Sequence, residues 1–209
     1  FVFSTMFKFE IENFPIYLLS GIITYNFFKN GTTIALSSLS NRSSLITQIY
    51  FPRSIPAISS TFTASIMLIV ELAVLACFMV YFQFTPTLTI LYLVPIYMLA
   101  FVLVLGIALG LSVLNVKFRD IEFIWGIVLH AGFFLTPIFY RFDMLPEYVQ
   151  NILQLSPVVQ IVEMVHHVTL YGTLPSLNSV LYSVGSIFAI LGIGYLIFRR
   201  YQARIVEEL

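Results

Sequence analysis

The sequence predicts an all-α fold, a polytopic transmembrane helical bundle with about five complete spans, and three observations carry that prediction. Hydrophobic residues make up 59% of the 209-residue chain and charged residues only 10%, where an ordinary soluble domain has about 45–50% and about 25%. Residues 72–116 and 164–198 contain no Asp, Glu, Lys or Arg. Prolines and polar clusters divide the apolar sequence into pieces close to the roughly 20 residues that a helix needs to cross a bilayer. The uncharged run of 45 residues exceeds one crossing and must hold most of two.

The chain opens on the apolar stub FVFSTMF before Lys8, which reads as the end of a span whose beginning lies outside this sequence. Pro15 to Leu36 is apolar enough to cross, but Asn26, Lys29 and Asn30 interrupt it and suggest a helix packed inside protein or ending early. Residues 37–54 turn to Ser, Thr and Asn with two arginines, and Pro52 and Pro56 mark the exit from a loop with short helical pieces. A second span follows from Ile55 to Phe82 with one charge, Glu71, and QFTPTLT at 83–89 supplies a turn. Ile90 to about Leu114 is the third span. Its GIALG places Gly106 and Gly110 on one helix face, where they permit close helix contact.

After the turn at 115–120, the run to Tyr140 is long enough for a fourth crossing, with Asp120 placed as its N-cap and Glu122 in the first turn, where the helix dipole favours an anion. Pro146 and Pro157 divide residues 145–171 into pieces too short to span, which read as external re-entrant or interfacial helices. Residues 177–198 form the last crossing, and 199–209 are a charged amphipathic tail. All of this reads as one transmembrane domain over 1–209.

Basic residues collect in cytoplasmic loops near span ends. Alternating sides along the chain puts Arg42, Arg53, Lys117, Arg119, Arg199, Arg200 and Arg204 on one face and only Lys8 and Arg141 on the other. The segments at 37–54 and 115–120 and the tail are therefore expected in the cytoplasm, so the C-terminus is cytoplasmic. By the same orientation, the sequons at Asn30 and Asn41 lie in the membrane or cytoplasm and are poor glycosylation sites.

Several function classes are set aside by composition. Ten basic and ten acidic residues give zero formal charge, which offers no electrostatic footprint for nucleic acid. The sequence has neither G-x-x-x-x-G-K-[ST] nor GxGxxG, so these phosphate-cradling devices are absent from it. Cys77, the single cysteine, forms no disulfide framework and reads as a small packing residue.

In this order and spacing, several segments resemble one family, the permease subunits of ABC-2 type exporters for polysaccharides such as O-antigen, capsule and teichoic acid. The stretch from Asn41 through Phe51, Pro52 and Arg53 to Pro56 looks like that family's cytoplasmic segment ending in Phe-Pro-Arg, and Leu114 to Asp120 looks like its Asn-Val-x-Phe-Arg-Asp turn. Phe133 to Tyr140 resembles the end of its fifth helix, and the Pro-bounded pieces at 145–171 resemble its external gate helices. Thr47 and Gln48 depart from the Lys or Arg usual there, and Ser156 replaces a frequent Asn before Pro157.

The resemblance implies a permease homodimer paired with two copies of an ABC ATPase subunit, in the cytoplasmic membrane of a prokaryote. The cargo would be a lipid-linked glycan moving among membrane lipids. This chain would hold no cofactor, the ATP and Mg being on the partner, and would perform no covalent chemistry. The resemblance further implies coupling contacts at Asn41, Arg42, Phe51, Pro52, Arg53, Arg119 and Asp120. Arg53 and Arg119 have a second reading as anchors at lipid phosphates, and Asp120 as a cap. Because sugar rings stack on aromatic faces, Tyr25, Phe28, Phe133, Phe134 and Tyr140 are candidates for the substrate path.

Glu71 joins them because a charge near mid-membrane costs about 2.5–3.5 kcal/mol on insertion scales. It must be protonated, hydrogen-bonded across helices, or facing water. Glu163, His166 and His167 have spacings that bring the carboxylate near both imidazoles, as a metal site or, more simply, as the polar face of an interfacial helix. His130 reads as hydrogen-bonded within the bundle. The alternatives are an ABC-2 exporter of drugs or lipids, an integral membrane transferase or hydrolase built on the Glu163–His167 group, and a structural scaffold.

Overall fold

A computed structural model describes residues 13–39, 52–118 and 120–202. Of the expected coupling residues, Asn41, Arg42, Phe51 and Arg119 lie outside the described residues, as do Lys8 and Arg204. The described residues form helices and connecting turns, with no strand among them.

Helix α1 runs Phe14–Ser38, with Asn13 in a left-handed conformation before it and Pro15 in its first turn, where the missing N–H has no partner to lose. It is the innermost element, with about half of its residues buried. Its polar residues are tolerated there because their hydroxyls fold back on their own helix. Ser20 donates to the Tyr17 carbonyl at 2.9 Å, Thr24 to Ser20 at 2.8 Å and Thr32 to Phe28 at 2.9 Å. The interior packing suggested by Asn26 and Asn30 is what the bundle shows, while Lys29 is exposed.

Helix α2, Ile55–Tyr81, buries Ala57, Ser60, Thr61, Ala64, Leu68, Leu75 and Met79, one stripe at helical spacing. Its other flank exposes Ile66, Ile69 and Val80, as lipid contact requires. Cys77 lies on that exposed flank, so it is not the packing residue the sequence suggested. Helix α3, Leu93–Lys117, follows a short 3-10 turn at Leu88–Tyr92. It extends three residues further than its apolar run, so the turn read as 115–120 contracts to the residues after Lys117.

Helix α4, Ile121–Leu135, is shorter than the crossing expected to Tyr140. Thr136 precedes Pro137 and takes an extended ψ of 137°, because the proline ring excludes the α region for its predecessor. Fifteen residues rise about 22 Å, short of the roughly 30 Å hydrocarbon core. Asp120 occupies the N-cap position, but its side chain makes no capping bond; it acts on the helix through charge alone, as does Glu122 in the first turn.

Pro146 and Pro157 open α5, Glu147–Leu153, and α6, Pro157–His166; α6 continues as a wider π turn over His167–Tyr171 and ends at Gly172 with φ 62°. Val158 and Ile161, near the start of α6, lie beside Thr24 and Phe28 of α1 and Ala100 and Leu103 of α3, whereas His166, at its end, lies beside Tyr17. Helix α7, Leu177–Tyr201, is capped by Ser176, whose hydroxyl accepts from the Ser179 N–H at 3.2 Å.

Helices α2, the 88–117 segment and α7 are long and apolar enough to cross a membrane. The long helices alternate in direction, so one end of the bundle gathers residues 13–17, 82–92, 136–141 and 166–172 and the other gathers 38–39, 52–54, 118, 120 and 202. The tightest seam joins α3 to α7. A Cβ on Gly106 would stand 2.7 Å from the Leu191 Cα, and one on Gly194 would stand 1.8 Å from the Gly106 carbonyl oxygen. Gly110 meets the Gly194 Cα as well, so the GIALG pair marks a true close approach whose partner glycine lies about 85 residues away in sequence.

Candidate functional site

At the end holding residues 52–54, Arg53 donates to the Gln202 carbonyl, tying the start of α2 to the end of α7. Nearby, the Lys117 ammonium lies 4.9 Å from the Tyr201 ring centroid and 5.2 Å from that of Phe118. Asn115 donates to the Leu36 carbonyl at 3.0 Å, which fixes the end of α1 against α3. Pro52 and Arg53 thus sit at a clasp joining three helices, and Asp120 is on the same end but exposed.

The aromatic candidates converge between α1 and α4. Tyr25 packs its ring 6.0 Å from Phe28 and 5.3 Å from Phe133, and Phe133 lies 5.7 Å from Phe134. Phe139 closes the group, 5.2 Å from Phe133 and 6.3 Å from Phe134. Trp125 adds its ring 6.2 Å from Phe28 and donates its indole N–H to Thr32 at 3.1 Å. Tyr25 is 2% exposed and its phenol donates to the Leu129 carbonyl at 2.5 Å, so it tethers α4 to α1. The open ring surface belongs to Phe134, which is 68% exposed. Tyr140 caps this side, donating its phenol to the Leu135 carbonyl at 2.7 Å, while its own carbonyl accepts from Tyr17 at 2.7 Å.

Glu71 is not part of this group. Its Oε2 is buried on α2 with no hydrogen-bond partner among the described residues, and its electrostatic neighbour is Tyr97. His130 donates from Nδ1 to the Gly126 carbonyl at 2.7 Å, a bond inside its own helix and not across the bundle.

The Glu163, His166 and His167 side chains do not converge. His166 is fully buried, stacked on Tyr17 at 3.9 Å between ring centroids, with Glu163 at 3.7 Å from its Nδ1. His167 turns away to Thr173, 2.9 Å from its Nδ1. Arg141, paired with Asp143 at 2.5 Å, lies 5.9 Å over Tyr171. Burial raises the Tyr171 phenol above its usual range, and the Arg141 charge opposes that rise.

Two residues that the sequence reading passed over belong to the aromatic side. Trp125 could have been found as the only tryptophan in a chain of 21 Phe and 12 Tyr. Lys29 lies one turn from Tyr25 and is exposed, with no ion pair among the described residues. An amine at this depth on an apolar bundle needs water or a partner, and that alone flags it.

The arrangement is that of an integral membrane bundle whose α4, with only Leu129 buried, presents an aromatic face that the other described residues leave uncovered. A family model described as ABC-2 type transporter matches residues 1–170, and the chain belongs to that family, as a membrane-embedded component of a transporter. Among curated proteins it is similar to two O-antigen export system permease proteins RfbA of Klebsiella pneumoniae, 26% and 28% identical over 211 residues, covering all of this chain and 81% of each relative. A Myxococcus xanthus protein of the same description is 24% identical over 139 residues, 66% of this chain and 54% of that one.

Proposed function

We propose that this chain is the membrane-spanning permease of an ATP-driven exporter that moves a lipid-linked polysaccharide across the cytoplasmic membrane of a prokaryote. The observation that carries the reading is the similarity to O-antigen export permeases along the whole chain, combined with an aromatic face on α1 and α4 that has no cover among the described residues. Phe28, Trp125, Phe133 and Phe134 offer ring faces to the C–H surfaces of sugars. Lys29 offers a cation to the phosphate of the lipid carrier. A second copy meeting this face encloses the path between two chains.

The clasp around Pro52, Arg53 and Gln202 is then the contact that receives motion from two copies of a separate ABC ATPase, with the C-terminus in the cytoplasm. Glycan chemistry takes place elsewhere, and this chain contributes a path and its coupling. Co-expression with the ATPase encoded beside it tests this directly. The expected result is a detergent-stable complex whose ATP hydrolysis rises with the lipid-linked glycan and falls several-fold in Arg53→Ala. Absence of any ATPase complex overturns the reading, and stimulation by unrelated lipids in place of the glycan reassigns the cargo.

A further inference from the structure

A cavity of about 670 Å³ shares no lining residue with the aromatic face. It sits where α6, the loop at 173–176 and the first turns of α7 meet, at the end of the bundle opposite Arg53. Its size falls within the roughly 300–1,000 Å³ range of small-molecule sites. Gln160, Glu163 and His167 lie on one face of α6 and its π extension, three and four residues apart, while Asn178 and Tyr182 face them from α7.

The wall is held rigidly. Ser183 donates to the Gln160 Oε1, and the Gln160 Nε2 donates to the Gln154 carbonyl at 2.5 Å, so this amide is spent on joining α6 to α7. His167 is oriented by Thr173 at 2.9 Å, leaving Nε2 free. By contrast, the Asn178 amide and the Tyr182 phenol make no hydrogen bond among the described residues, although both line the cavity. Glu163 is largely buried, with 23% of its side chain exposed, and its contact is His166 at 3.7 Å, beyond hydrogen-bond length.

The lining thus offers a carboxylate that only accepts, an amide and a phenol that do both, and an imidazole nitrogen, set among Val159, Met164 and the Phe142 ring. It contains one acid and no Lys or Arg. A phosphate, pyrophosphate or carboxylate ligand would meet the Glu163 charge with no fixed cation to offset it. A wholly apolar ligand would strip water from several unpaired polar groups without replacing their hydrogen bonds. A polyhydroxylated ring fits both constraints: adjacent hydroxyls donate to the carboxylate, others exchange hydrogen bonds with the amide and phenol, and the C–H face rests on Phe142 or Tyr182.

We propose that this cavity is a binding site for an uncharged saccharide unit, read by Glu163, Asn178 and Tyr182 and separate from the aromatic path. The assignment goes beyond the exporter reading, because it needs a sugar to reach this end of the bundle but not that this chain moves it. The test uses the full chain in lipid nanodiscs and saturation-transfer NMR with the neutral disaccharides maltose, cellobiose and chitobiose as probes. At least one of these is expected to give a saturable signal on its ring protons. That affinity falls about tenfold or more in Glu163→Gln and Asn178→Ala. It falls in Tyr182→Phe, which keeps the ring and the fold, and is unchanged in Val80→Ala on the exposed flank of α2. Inorganic pyrophosphate does not compete.

No saturable signal from any disaccharide overturns the proposal, as does a signal that survives the Glu163→Gln, Asn178→Ala double variant. Displacement of the sugar by phospholipid acyl chains with equal effect would make the cavity a lipid seat, again against it. Binding measured on the isolated chain is independent of ATPase coupling. A failed export assay with intact sugar binding therefore leaves the cavity standing, and the reverse pattern removes it alone.

Discussion

Gly194 shows how much one missing side chain can decide. Its α-carbon sits where a methyl group would reach to 1.8 Å from the Gly106 carbonyl oxygen, a backbone atom that cannot rotate away. Gly194→Ala therefore has to push α7 off α3, and overpacking of this kind costs about 1–3 kcal/mol. Thermal denaturation in detergent should show a clear loss of stability and of monodisperse yield. Gly192, two residues earlier, has nothing within 4 Å of its would-be Cβ, so Gly192→Ala should be neutral or stabilising by about 0.5–1 kcal/mol. Tyr17 offers a second test at this scale. Its phenol is shared between the carbonyls of Tyr140 at 2.7 Å and Pro137 at 3.1 Å, while its ring carries His166. Tyr17→Phe keeps the stack and loses the bond, an expected cost of about 1 kcal/mol in the same assay, since a buried and a part-buried carbonyl lose a donor.

At the scale of the element, α1 and α4 are opposites. Helix α1 buries its hydroxyls by turning them on its own carbonyls, so a sequence with Ser, Thr and Asn becomes the centre of the bundle. Helix α4 is apolar apart from Glu122 and His130 yet barely buried, with Ile127 70% and Phe123 77% exposed. Hydropathy therefore located both helices but could not rank them by depth. It also read α4 as running to Tyr140, because an average over a window does not register that Pro137 removes the helical conformation from the residue before it. The exposed face carries its own prediction. In a Cys77→Ala background, Ile127→Cys should cross-link two chains under mild oxidation in membranes. Persistent monomers at all oxidant levels would contradict enclosure of the path by two copies.

For the whole molecule, span order and the two ends were legible from uncharged runs, prolines and the placement of basic residues. The aromatic residues were legible only as candidates, through the stacking of sugars on aromatic rings and the family resemblance, and their spacing did not single them out. The Gly106–Gly194 seam, the shift of Glu71 to another face and the cavity at Glu163 were not legible. Each is made by residues far apart in sequence whose juxtaposition depends on how helices pack, which local periodicity does not encode. Orientation is testable as a unit. In the same Cys77→Ala background, Thr85→Cys should react with a membrane-impermeant maleimide added outside intact spheroplasts, and Phe118→Cys should react only after the membrane is opened. The reversed pattern would invert the assigned topology.

The glycine seam has a mechanical meaning. Backbones that touch at Gly106, Gly110 and Gly194 leave no side-chain layer to slide on, so α3 and α7 must travel together as one rigid stave. Among the described residues, helix α4 is held by Leu129, the Tyr25 phenol, the Trp125 indole and the ring contacts of Phe133 and Trp125, so swinging it outward breaks fewer contacts than parting α3 from α7. A bundle built with one welded joint and one light hinge yields at the hinge first, and the hinge is on the side that carries the rings.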